Sequence, residues 1–310
     1  RETDLFIKEF NEDDFFLRPM GHHGLCHSVQ VMAYSNVQRL LAIGTSTGIV
    51  KLFGRNSFEV LLQNQYSRSA IISMNFNRSG SKLFTFSADT EFRVIDMLTY
   101  QVLGGLSLGW TRGAHIMCVH MPPDTDHPFI YVGLSNGYVE VINTLTTERT
   151  GYRISSTSID VDPDEEDLVF MASDPSDLNR LLLGYEKLGP VLWDLAKKRI
   201  VKHYQPSSGL LELNLGDDAS ALTCGAFHNS GTQFVVGYSS GYIVVYDTSK
   251  ASSGKLQSIG HAMNPVEYPK PVTCVRWACS NDGKNGAGTL LVAGGHDMNA
   301  VTMLWQKPSS

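Results

Sequence analysis

The chain has 310 residues, 42% of them apolar, with 25 Lys and Arg against 31 Asp and Glu, a net charge of −6 and a pI near 5.9. This balance excludes broad nucleic-acid binding, which needs a basic face to displace counterions. No stretch approaches 18 consecutive apolar residues, so no membrane-spanning helix is expected, and the opening RETDLFIKEF lacks a signal-peptide core.

A single pattern recurs six times along the chain. It reads LLAIGTSTGIVKLFG from Leu40, KLFTFSADTEFRVIDM from Lys82, FIYVGLSNGYVEVINT from Phe129, RLLLGYEKLGPVLWDL from Arg180, QFVVGYSSGYIVVYDT from Gln233 and LLVAGGHDMNAVTMLW from Leu290. Each copy reads as an apolar strand, a small-residue turn and a second strand of alternating polarity. The turn markers Gly44, Ser87, Gly133, Gly184, Gly237 and Gly294 stand 43, 46, 51, 53 and 57 residues apart. Repetition at this period predicts an all-β, WD-repeat-like β-propeller with one blade per repeat. Six blades are visible, at about 21–66, 67–112, 113–157, 158–205, 206–258 and 259–310. Residues 1–20 form an N-terminal segment whose run from Asp4 to Arg18 could supply a ring-closing strand. An incomplete seven-bladed ring is the expectation, and its unpaired edges would be sticky.

A further strand precedes each marker: VQVMAY from Val29, IISMNF from Ile71, IMCVHM from Ile116, LVFMAS from Leu168, LTCGAF from Leu222 and VTCVRW from Val272. These are mostly apolar, as strands packed on both faces must be. Asn77-Arg78-Ser79-Gly80 and His228-Asn229-Ser230-Gly231 have the composition of turns that end with φ > 0. Irregular outer strands are expected at FEVLLQN, QVLGGLSL, TGYRIS and RIVKHYQ. Three connections are long: Asp160–Asp167, Pro206–Ala221 and Ser249–Pro271. Five cysteines, of which Cys118, Cys224 and Cys274 fall at one repeat position, fit reduced thiols in a cytoplasmic protein.

Few motifs point to chemistry. Trp193-Asp194 is the dipeptide that ends the third strand of a WD repeat, degraded elsewhere to Tyr246-Asp247, Ile95-Asp96 and Ile142-Asn143. The aromatic residue is expected to pack between blades and the acid or amide to cap the next turn. The acidic run that includes Asp164, Glu165, Glu166 and Asp167 fails the EF-hand pattern, since Glu165 and Met171 occupy its Gly and Glu positions. It reads as a solvated loop, with a docking strip for a basic partner as the lesser reading. Arg55, Arg68, Arg78 and Arg93 fall near blade turns, where they are either ordinary surface or contacts for an acidic partner. His22, His23, Cys26 and His27 lack a second ligand group at a recognised spacing, and His296-Asp297 has no nucleophile elbow beside it. There is no phosphate-binding loop. No catalytic residue, metal or cofactor is therefore assigned, and an enzyme is the least favoured class.

Five of the six strings, in order from about Gly21 to Leu304, resemble the lethal giant larvae and tomosyn family of propeller proteins. LLAIGTSTGIVKLFG resembles the family's first blade and FIYVGLSNGYVEVINTLTTERTG its third. LLLGYEKLGPVLWDL is similar to its WDL blade, SALTCGAFHNSGTQFVVGYSSGYIVVYD to the blade that follows, and LLVAGGHDMNAVTML to the next. The second blade matches only as a generic repeat, Gly189-Pro190 departs from the family's Gly-x, and Phe53-Gly54-Arg55 leans towards tomosyn. The resemblance implies two tandem seven-bladed propellers and a tail, of which this chain would be most of the first propeller. It implies a non-enzymatic regulator of exocytosis and cell polarity that binds syntaxin-type SNAREs, with myosin II and Rab-type GTPases as further partners. It also implies a cytoplasmic location with peripheral association at the plasma membrane. A general WD-repeat scaffold for a signalling or ubiquitin-ligase assembly is the alternative.

Overall fold

The computed structural model describes residues 24, 28–63, 68–109, 113–122, 127–155, 158–159, 166–204, 221–239, 243–248, 257–258, 271–279, 288–294 and 301–306. The ring-closing strand expected before residue 19, Asp164 and Glu165 lie outside these residues, as does the His22–His27 cluster. Twenty-three strands and no α-helix occur among the described residues.

Two compact units divide the blades, one Gly21–Glu165 and the other including Glu166–Ser310. The first holds three antiparallel four-stranded sheets. These are β1 (Val29–Ser35), β2 (Leu40–Thr45), β3 (Ile49–Phe53) and β4 (Glu59–Gln63); β5 (Ile71–Phe76), β6 (Lys82–Ser87), β7 (Glu91–Asp96) and β8 (Val102–Ser107); and β9 (Ile116–His120), β10 (Phe129–Leu134), β11 (Val139–Asn143) and β12 (Glu148–Ile154). The second holds β13 (Leu168–Asp174), β14 (Asp177–Tyr185), β15 (Gly189–Asp194) and β16 (Arg199–His203), then β17 (Leu222–Phe227), β18 (Gln233–Tyr238), β19 (Ile243–Asp247) and β20 (Gln257–Ser258). A three-stranded sheet of β21 (Val272–Cys279), β22 (Gly288–Gly294) and β23 (Val301–Gln306) completes it. Each sheet is an up-and-down meander in chain order, the blade of a WD-repeat propeller. Within each unit the first strands of successive blades lie side by side: β1, β5 and β9 in one, β13, β17 and β21 in the other.

The cores lie between sheets. Ala42, Val50 and Leu52 of the first blade pack on Ile71, Met74 and Leu83 of the second. Phe84, Phe86 and Phe92 of the second pack on Ile130, Val132 and Ile142 of the third. In the other unit, Tyr204, Phe234 and Tyr246 form an aromatic knot, with Tyr204 edge-on to Phe234 at 4.8 Å and Phe234 stacked on Tyr246 at 5.0 Å.

The repeat markers are not turn residues. Gly44, Ser87, Gly133, Gly184, Gly237 and Gly294 all lie inside the second strands of their blades. Two of the glycines have an evident packing reason. A Cβ on Gly44 would stand 2.9 Å from Ile71 of the next blade, and one on Gly237 would stand 2.5 Å from Val272 of the next. A side chain there would hold the neighbouring blade away. The opposite strand is irregular at the same place, with its register slipping at Val29/Val31, Ile71/Ser73 and Leu222/Cys224. In the last of these, the Thr223 hydroxyl sits 3.0 Å from the Gly237 carbonyl and 2.5 Å from that of Val272, tying one blade to the next. The fourth blade solves the problem with a ring: Phe170 lies across the bare backbones of both Gly184 and Gly225.

True turns occur where the sequence placed them. Gly80 and Gly231 have φ of 71° and 68°, and their amides donate to Asn77 and His228 carbonyls at 2.9 Å. The acid or amide after the third strand caps the next turn in three blades. Asp96 accepts from the Thr99 hydroxyl and amide at 2.7 and 3.0 Å, Asn143 from the Leu145 amide at 2.9 Å, and Asp194 from the Lys197 amide at 2.8 Å. The Thr99 and Lys197 donors hold Asp96 and Asp194 below the usual carboxylate range. Trp193 is fully buried, and Gly189 takes φ of 90° at the start of β15.

Glu166 opens the fourth blade from inside it. Its carboxylate is buried and accepts the Lys187 and Leu188 amides at 3.1 and 2.7 Å, bracing the β14–β15 turn. Burial raises its pKa, against the lowering effect of those two amides.

Two predictions follow from this packing. A methyl group on Gly225 must displace the Phe170 ring, so Gly225→Ala should destabilise the chain by roughly 1–3 kcal/mol. Chemical denaturation should show this, and Phe170→Leu in the same chain should recover part of the loss. For Glu166, a raised folded pKa means the native state binds more protons than the unfolded one between the two pKa values. Relative to Glu166→Gln, the wild type should therefore gain stability as pH falls through that window towards about 4.3, the unfolded value. Paired denaturant titrations at several pH values would measure the sign.

Candidate functional site

The first unit carries an open groove of about 870 Å³. Three blades contribute to it: the end of β1 and the turn after it, the β5–β6 turn, and the segments Met121–Pro122, His127–Pro128 and Thr144–Leu145 of the third blade. Four large apolar side chains on its walls face solvent. Met32 is 65% exposed, Tyr34 57%, Val37 66% and Leu145 72%. Solvent-facing apolar groups gathered round one depression mark a protein-contact surface more than scattered ones do. Asn36, Asn75, Asn77 and Ser79 supply amides and hydroxyls between them, and Arg78 and Lys82 supply positive charge. The turn network is stiff: Asn77 accepts the Lys82 amide at 2.9 Å and donates to the Ser79 and Ser81 hydroxyls at 3.0 and 3.1 Å.

The residues singled out from sequence do not converge on this groove. Arg55 is exposed in the β3–β4 turn. Arg93 lies in the middle of β7, away from any turn, with its side chain buried and its guanidinium 2.8 Å from Glu91. It crosses Gly105, where a Cβ would come within 3.3 Å of its Cγ. Glu166 faces inward as described, and Asp167 beside it is partly exposed, its carbonyl taken by the Glu186 amide. Neither Arg93 nor Glu166 therefore presents its charge to solvent. Of the arginines noted near turns, Arg78 alone lines the groove.

The groove's apolar residues had a sequence signal that repeat analysis passes over. Val37 and Leu145 occupy turns, Ser35–Arg39 and Asn143–Thr147, where polar residues are the rule. Apolar residues in such places bury nothing in their own blade.

What the described residues of the groove offer is shape and contact. No group of three or more His, Cys, Asp or Glu side chains could hold a metal ion among the described residues. Cys118, Cys224 and Cys274 are in no disulfide. Burial pushes the Cys118 thiol well above its ordinary value and that of Cys224 to about 11, which makes both poor nucleophiles. No helix among the described residues is long and apolar enough to cross a membrane.

Comparison with known proteins gives a consistent set of relatives, although no protein-family model matches the chain. It is 26% identical over 248 residues to mouse LLGL scribble cell polarity complex component 2, covering 73% of this chain and 23% of the relative. The human protein of the same name is 25% identical over 224 residues, 66% of this chain and 22% of the relative. The Lethal(2) giant larvae protein of Drosophila pseudoobscura pseudoobscura is 20% identical over 239 residues, 73% and 20% respectively. The chain thus spans about a fifth of the length of the curated relatives it matches. With the blade architecture and the ordered repeat strings, these relatives show that the chain is similar to the lethal giant larvae proteins.

Proposed function

We propose that this chain is the partner-binding propeller of a non-enzymatic regulator of cell polarity and exocytosis, and that it engages syntaxin-type SNAREs. The observation that carries the reading is the match to polarity-complex relatives over about seven tenths of the chain. The names of the mouse and human relatives speak of a cell polarity complex, and the SNARE partner follows from the family resemblance.

The groove supports a contact mechanism. A SNARE segment is an amphipathic helix, and such helices dock by laying an apolar stripe into a groove. Met32, Tyr34, Val37 and Leu145 would meet that stripe, while Arg78 and Lys82 would face acidic positions beside it. Tyr is a frequent anchor of such contacts, because its ring buries much area with few rotatable bonds. Function would then consist of sequestration, with no bond made or broken.

Calorimetric titration of the folded chain with a purified syntaxin-type SNARE domain tests both parts. Saturable binding is expected. The double variant Val37→Asp/Leu145→Asp, altered at exposed turn positions, should weaken it about tenfold or more, equivalent to about 1.4 kcal/mol. Full affinity in that variant would move the contact off the groove. No binding by the folded wild type would remove SNARE recognition from this chain.

A further inference from the structure

Among the described residues, four blades end in an outer strand of five residues or more, and one of the four differs. β4 carries Glu59, β12 carries Glu148, Arg149 and Arg153, and β16 carries Arg199, Lys202 and His203. β8, with the sequence VLGGLS, carries neither charge nor proline. Charges and prolines on outer strands are the usual guard against edge-to-edge pairing.

The hydrogen-bonding pattern shows what that edge presents. On its inner side the Asp96 amide donates to the Gln101 carbonyl at 2.9 Å and the Leu108 amide to the Thr90 carbonyl at 2.8 Å. Between these, the register sets Gly104 opposite Val94 and Leu106 opposite Phe92. Bonded pairs alternate in an antiparallel ladder, so Gly104, Leu106 and Leu108 turn their backbone groups inward. Gly105 and Ser107 then turn theirs outward, and both residues are exposed. Gly105 cannot easily gain a side chain to cover the edge. A Cβ there would stand 2.7 Å from the Phe92 carbonyl oxygen and 3.3 Å from Arg93 Cγ. Val102 and Leu103, exposed by 44% and 58%, give the strand an apolar margin.

We propose that β8 is a self-pairing edge on which a second copy of this chain docks antiparallel, about a two-fold axis at Leu106. Gly105 of each copy opposes Ser107 of the other, and their outward amides and carbonyls form four N–H···O bonds. Self-complementarity selects this occupant. A two-fold pair sets a strand against itself, and like charges directly opposite are unfavourable. β12 paired in this way would set Arg149 against Arg153, and β16 would bring only cations together. β8 meets itself without any charge. The contact is small, so the association is weak and reversible. It rests on the edge geometry and is independent of the partner proposed for the groove.

Sedimentation velocity and light scattering on the full chain across a concentration series provide the test. The wild type should show a reversible monomer–dimer equilibrium. Ser107→Pro removes an outward donor, and Leu103→Lys adds an edge charge; both should shift the chain to monomer with an unchanged circular dichroism spectrum. Ser107→Ala, which keeps the backbone donor, and Leu98→Lys, in the β7–β8 turn, should dimerise as the wild type does. If Ser107→Pro fails to fold, Leu103→Lys decides alone. A wild type that stays monomeric throughout, or a dimer that survives Leu103→Lys, overturns the proposal.

Discussion

The approach of one blade to the next over bare backbone governs the rest of this structure. Gly44 and Gly237 leave no side chain between their strands and the first strand of the following blade, so Ile71 and Val272 come into direct contact with the sheet before them. That contact removes the main apolar faces from water. The cluster around Leu52, which holds Ile71, and the cluster of Val235, Ile243, Val245 and Val275, which holds Val272, form at these two contacts. Sheet faces consumed in this way cannot bind anything else. What remains for recognition is the turns at the ends of the strands and the outer edges of the blades.

The recurring apolar strings made the inner strands legible, because they are buried on both faces, while the outer strands, exposed on one face or more, read as irregular. Gly80 and Gly231 were legible as turns because the preceding Asn or His and Ser also have turn chemistry. The marker glycines were misplaced for a related reason. Composition reports that a residue is small, while a position at or next to the end of a strand and a turn position favour small residues on different grounds: close approach in one case, φ > 0 in the other. Only the register separates them. Arg93 and Glu166 show the same limit for charge. Each looks like a surface residue in sequence, yet Glu91 and the Lys187 and Leu188 amides let them stay inside. The groove escaped notice because its walls come from segments up to 113 residues apart, Met32 to Leu145, which no local pattern connects.

The turn caps indicate what repeat divergence spares. Trp193 is replaced by Ile95 and Ile142 in other blades, whereas Asp96, Asn143 and Asp194 all still accept backbone amides. Apolar packing tolerates exchange among large residues because neighbours can adjust. A turn amide without an acceptor has no such latitude, since an unmade hydrogen bond costs more than a made one contributes. The acceptor is therefore kept while its aromatic neighbour drifts.

Arg93 links the interior of the second blade to its edge. A buried guanidinium requires a partner, which Glu91 supplies, and a path for its long stem, which Gly105 supplies by having no side chain. The same glycine leaves the outward backbone of β8 uncovered. A bulky or charged residue at that position would guard the edge and at the same time displace Arg93 from its place across the strand. The bare edge of β8 is thus a consequence of how the second blade accommodates a charge in its interior, and it cannot be closed at Gly105 without repacking that blade.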